Sequence, residues 1–107
     1  MSDDRKEQAR IDFGARVFKA LGHPTRLLFV RALAEKDYCV CDLKELVQAD
    51  LSTISKHLSV LREAGVVTAE RKGNRVHYHL VMQCVTGFME CLESAREAQI
   101  REQEALL

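Results

Sequence analysis

The sequence has no surplus of charge: 16 Lys and Arg residues balance 16 Asp and Glu. A neutral chain cannot hold nucleic acid by bulk attraction, so the placement of its charges matters more than their total. No apolar stretch reaches membrane-spanning length, and residues 1–10 are charged and polar with no apolar run behind them. Neither a transmembrane helix nor a secretory leader is therefore expected, and the protein is read as cytoplasmic. There is no internal repeat and no linker long enough to divide the chain, so residues 1–107 are expected to form one domain, with 1–6 disordered. A Cys-x-x-Cys pair inside a βαβ pattern is also missing, which argues against a thiol oxidoreductase; no enzyme is expected.

What is present is a composition of 47% hydrophobic and 30% charged residues over 107 positions, enough for one small core that dimerisation often reinforces. The charges are segregated. Across residues 52–80, Lys56, Arg62, Arg71, Lys72 and Arg75 face only Glu63 and Glu70, whereas from Val81 onward Glu90, Glu93, Glu97, Glu102 and Glu104 face only Arg96 and Arg101. Four cysteines, Cys39, Cys41, Cys84 and Cys91, stand in a chain read as cytoplasmic, where thiols persist and metal binding or redox sensing is favoured over structural disulfides.

Apolar spacing supplies the elements. Ile11, Ala15, Phe18 and Leu21 recur with helical period and predict an amphipathic helix over residues 7–20. Gly22-His23-Pro24 ends it, and Pro24 suits the first turn of a central core helix carrying Leu27, Leu28, Val30 and Leu33. Residues 38–41 are expected to be extended, followed by a short helix from Asp42 with Leu43, Leu46 and Val47. After the tight connection Gln48-Ala49-Asp50, either Asp50 or Ser52 can cap a helix whose buried stripe is Ile54, Leu58, Leu61 and Ala64 and which Gly65 closes. Val66-Val67 and residues 76–80 are β-type runs about a turn signal at Gly73-Asn74. A last helix over residues 82–104 carries Val85, Phe88, Met89, Leu92 and Ala95 on one face. The expected fold class is mostly α with a β-hairpin wing, a winged helix-turn-helix.

The stripe on the fourth helix leaves Ser52, Thr53, Ser55, Lys56, Ser59 and Arg62 outward. Hydroxyls at a helix N-terminus suit phosphates and base edges, and Lys56 can reach phosphate or guanine. Arg71, Lys72 and Arg75, with Asn74 between them, suit backbone or minor-groove contact from a hairpin tip. His57 admits two readings, a DNA contact or a buttress for its helix, and His77 and His79 share a strand face expected to be exposed.

Ala20-Leu21-Gly22-His23-Pro24-Thr25-Arg26-Leu27, Ser52-Thr53-Ile54-Ser55-Lys56-His57-Leu58, Leu61-Arg62-Glu63-Ala64-Gly65-Val66-Val67 and the run from Arg71-Lys72-Gly73 to Tyr78 together resemble the ArsR/SmtB family of small bacterial repressors. The resemblance covers most of residues 13–80. It implies a homodimer paired through the first and last helices, the latter within residues 81–107. It further implies binding to an imperfect inverted-repeat operator in double-stranded DNA with no cofactor required, and release by an inducer.

Cys39-Val40-Cys41-Asp42-Leu43 resembles the thiolate motif of the family's arsenic, cadmium and lead sensors, which makes As(III) or a soft divalent ion such as Cd(II) or Pb(II) the expected inducer. Lys44 stands where a third cysteine is often found, so a third sulfur must come from Cys84 or Cys91. These two lie seven residues apart on one helical face, about 10 Å along the axis. The zinc site that the family often carries on its last helix is not expected, because Met82, Ala95 and Ala98 occupy its neighbourhood. Two alternatives stay open: Cys84 and Cys91 as small buried hydrophobes at a helix interface, and the cysteines as a redox or persulfide switch.

Overall fold

A computed structural model describes Ser2 to Leu106 as five helices and a three-stranded sheet, in the order α1 (Ser2–Leu21), α2 (Pro24–Leu33), β1 (Tyr38–Cys39), α3 (Val40–Glu45), α4 (Leu51–Glu63), β2 (Val67–Lys72), β3 (Arg75–Leu80) and α5 (Cys84–Leu106). This is the mostly helical, winged arrangement that the apolar spacing predicts. Among the described residues no helix is long and apolar enough to cross a membrane.

The helix ends follow local chemistry. Pro24 occupies the first turn of α2, where its missing N–H costs nothing, and the Nδ1 of His23 accepts the Thr25 N–H at 3.1 Å. Asp50 caps α4 by accepting the Thr53 N–H at 2.8 Å. Gly65, at φ +79°, supplies the left-handed residue that turns the chain out of α4 into β2. The hairpin pairs Lys72 with Arg75 across a two-residue loop with Gly73 at φ +64°, the first central position of a II′-type turn.

Strand order is β1-β3-β2, all antiparallel, with Tyr38 opposite Tyr78 and Cys39 opposite His77. The core lies between α2, α3, α4 and the base of the hairpin: Phe29, Val30, Leu33, Leu43, Ile54, Leu58, Leu61, Val66, Val67 and Leu80 are buried, joined by Ala20 and Leu21 of α1 and Val85 of α5. With its inner face so buried, α4 lies between the core and solvent.

Several sequence expectations are corrected. Residues 2–6 are helical where disorder was expected, Asp3 and Asp4 meeting the positive end of α1; Met1 lies outside the described residues. Of the apolar stripe on α1, Leu21 packs on the core with Val17 and Ala20, while Ile11, Ala15 and Phe18 are exposed in a single copy. In α2 the register of the Leu27-Leu28-Phe29-Val30 run buries Phe29 and turns Leu28 outward. Only Tyr38 and Cys39 are extended, because α3 begins at Val40 and not at Asp42.

Candidate nucleic-acid interface and the thiols

On α4, Ser52, Thr53, Ser55, Lys56, Ser59 and Arg62 are all exposed, while Ile54, Leu58 and Leu61 are buried. The 3.6-residue period thus gives one face to the core and a continuous polar face to solvent. Ser52 Oγ donates to the Asp50 carboxylate at 3.3 Å. Bonds from the Thr53 hydroxyl and backbone N–H, with help from Ser52 and Lys56, hold the Asp50 carboxyl below its ordinary value. A depressed carboxyl contributes stability that is complete above the ordinary carboxylate range and is lost as pH falls through the lowered value. Asp50→Ala is accordingly expected to lower the thermal midpoint at neutral pH and to flatten its decline in acid; an unchanged acid decline in the melting curves would refute the assignment.

The second polar element is the hairpin. Arg71, Lys72, Gly73, Asn74 and Arg75 are exposed, and Arg71 Nε donates to the Gly73 carbonyl at 3.3 Å, drawing one guanidinium toward the turn. His79, also exposed, pairs with Asp37 at 2.7 Å and braces β3 against the segment before β1, whereas His77 is half-buried. Helix and wing together present hydroxyls, one amide and five cationic side chains to solvent from elements whose inner faces are fixed.

The ring of His57 lies apart from this polar face. Its Nδ1 is 3.0 Å from Arg26 Nη1, and its ring centroid is 4.3 Å from that of His23, tilted by 42°. Arg26 Nε also donates to the carbonyl of Ala20 at the end of α1. Burial, with the neighbouring His23 and Arg26, pushes the His57 imidazole below its ordinary value. Neither His23 nor Arg26 is among the residues expected from sequence to take part in the site. The signal was the His-Pro helix start, which offers a side-chain acceptor to the first turn, but the partner of Arg26 is 31 residues away and leaves no local trace.

The four thiols are free. Cys39 is 1% exposed and opens α3 without a side-chain cap bond, while Cys41 is exposed. Because α3 is already helical at Val40, positions 39 and 41 face different sides, and they do not fit a two-sulfur chelate in this conformation. Cys84 and Cys91 are exposed on α5, and Cys84 borders an apolar trough with Val17, Phe18 and Leu21 of α1. Among the described residues no three His, Cys, Asp or Glu side chains of one chain gather as a metal site.

Comparison with known proteins places this geometry. The family described as "Bacterial regulatory protein, arsR family" matches residues 23–69. An uncharacterized HTH-type transcriptional regulator of Methanocaldococcus jannaschii is 41% identical over 68 residues, which cover 63% of this chain and 76% of that protein. The cadmium resistance transcriptional regulatory protein CadC of Listeria innocua is 36% identical over 74 residues, covering 68% of this chain and 62% of CadC. A homodimeric winged helix-turn-helix DNA-binding domain from Mycobacterium bovis, described as a possible ArsR-family transcriptional regulator, superposes with a TM-score of 0.79 at 27% identity over 91% of this chain and 90% of that one. By fold, by helix and wing, and by sequence, this chain belongs to the ArsR/SmtB family of winged-helix transcriptional repressors.

Proposed function

We propose that two copies of this chain bind an imperfect inverted repeat in double-stranded DNA, each setting the N-terminal half of α4 in a major groove. The contacts assigned to α4 are Ser52, Thr53, Ser55, Lys56 and Arg62. Those assigned to the wing are Arg71, Lys72, Asn74 and Arg75, reaching the flanking backbone or minor groove. The carrying observation is that all nine are exposed on two elements whose opposite faces are buried. His57 is left out, because its ring is turned to Arg26 and His23.

Lys56→Ala is expected to lower affinity for the DNA upstream of the gene by roughly tenfold, and Arg71→Ala or Arg75→Ala to reduce the slope of log affinity against log salt by about one each. Fluorescence anisotropy at several salt concentrations measures both. Unchanged affinity for Lys56→Ala would place the recognition surface elsewhere.

Two copies are inferred from the apolar surface that one copy leaves open: Ile11, Phe13 and Phe18 on α1, Leu28 on α2, Phe88 and Leu92 on α5. Large apolar side chains exposed on α1 and α5 suit a protein–protein contact, and the Mycobacterium bovis neighbour is described as homodimeric.

The inducer is assigned to sulfur. A soft metal or metalloid, As(III), Cd(II) or Pb(II), is the leading reading, supported by the cadmium-resistance relative and by three exposed thiols, Cys41, Cys84 and Cys91. Since one chain does not bring them together, a thiolate site draws on both copies or requires the first turn of α3 to open and release Cys39. Whatever binds must favour the DNA-free form to displace the repressor. A redox or persulfide response is the second reading, favoured by the same exposed thiols because it needs no three-ligand convergence. Titrating the reduced DNA complex with As(III), Cd(II), Zn(II), peroxide and a polysulfide as sulfane-sulfur donor, then weighing the products by mass spectrometry, separates them: a metal or metalloid adduct with DNA release supports the first, while release only by peroxide with a disulfide, or only by polysulfide with a persulfide, and no adduct defeats it.

A further inference from the structure

Recognition by a helix depends on its rotation about its own axis, and apolar contacts fix that rotation poorly because they carry no direction. Helix α4 rests on the core through Ile54, Leu58 and Leu61. Among the described residues, one side-chain hydrogen bond runs from α4 to another element, that between His57 Nδ1 and Arg26 Nη1. Both partners are themselves held. Arg26 reaches back to the Ala20 carbonyl, and the His57 ring lies against that of His23, whose Nδ1 is occupied by the Thr25 N–H.

A guanidinium can only donate. Nδ1 of His57 must therefore be a bare acceptor and its proton must sit on Nε2, which makes the ring neutral. The groups facing it are His23 and Arg26, while Arg16 and Lys19 of α1 and Glu63 of α4 line the cavity on the far side of Arg26. A protonated His57 would set a second positive charge directly against Arg26 and lose its only bond to α2.

We propose that Arg26 and His57 form a clasp that sets the rotation of α4 against the junction of α1 and α2. His57 is then a positioning residue: it acts on DNA through Thr53 and Lys56, on the same two turns, and touches no DNA itself. Because Ala20 lies in the last turn of α1, the clasp also joins the helix assigned to dimer pairing with the helix assigned to DNA. This rests on α4 being the recognition helix.

The test uses the full chain and its upstream DNA. His57→Phe keeps a ring and removes the acceptor, His57→Asn keeps an acceptor near the Nδ1 position, and Arg26→Met removes the donor. His57→Phe and Arg26→Met are each expected to lower affinity by roughly tenfold, the double variant no further than either single one, and His57→Asn to restore most of the loss. The salt slope should match that of the unaltered chain throughout. Additive losses overturn the clasp, and a slope shallower by about one would make His57 a phosphate contact instead. If Lys56→Ala weakens binding and His57→Phe does not, the clasp alone falls; if the unaltered chain ignores the DNA, the repressor reading falls first. Should a variant fail to fold, the 15N shifts of the His57 ring in the unaltered, DNA-free protein still decide: a proton on Nε2 and a bare Nδ1 at neutral pH support the clasp, and a protonated Nδ1 overturns it.

Discussion

Phe88→Glu is expected to leave the chain folded, to make it monomeric, and to lower its affinity for operator DNA by roughly 10²- to 10⁴-fold. Phe88 is 44% exposed and meets the ring of Phe18, itself 59% exposed, edge to face at 5.4 Å. The two rings border an apolar trough that continues along Leu21, Leu27, Met89 and Leu92. In a single copy this surface faces water, so a carboxylate there costs the fold little; α5 stays anchored by Val85 and Met89. In a symmetric pair the same substitution enters the interface twice and buries two unpaired charges. The fall in affinity follows from losing the second, linked recognition helix, whose effective concentration multiplies the affinity of the first by about the factor stated. Sedimentation equilibrium and a DNA titration measure the two effects; a variant that stays dimeric would place the interface on another face.

Phe29→Ala is expected to destabilise the protein by about 3–5 kcal/mol, the range for emptying a large aromatic site in a packed core. Phe29 is 0% exposed and sits in the cluster that includes Val30, Leu33, Leu43, Ile54, Leu58 and Leu61. Against a total of about 5–15 kcal/mol for an ordinary domain, such a loss unfolds much of the population near physiological temperature. Leu28→Ala, one residue earlier but 38% exposed in a single copy, should cost far less when both are measured in the monomeric Phe88→Glu background, where its part in pairing is absent. Denaturant unfolding at fixed protein concentration measures both, since dimerisation adds to apparent stability. Equal losses would mean that the register of α2 is wrong.

The same pair of residues shows what the sequence could reveal. A run of Leu-Leu-Phe-Val announces a buried helix, but every position in it is apolar, so its period cannot say which side meets the core. On α4 the apolar and polar residues alternate cleanly, and its exposed face could be named residue by residue. Turn and cap chemistry was equally legible, because Asp50, Gly65 and Gly73 act within a few residues of themselves. The thiol motif was harder to read. Starting α3 at Val40 instead of Asp42 shifts the backbone by two residues, and that shift is enough to bury Cys39 while Cys41 stays outside. The bond between Arg26 and His57 lay beyond reach, since it depends on how α2 and α4 cross and on nothing local to either.

The most direct measurement is the stoichiometry and footprint of the reduced protein on the DNA upstream of its own gene. Two copies per site are expected, protecting two patches about 34 Å apart or a multiple of that, one helical turn for each α4 pair. A chain that remains monomeric at every concentration and protects no duplex would contradict the account.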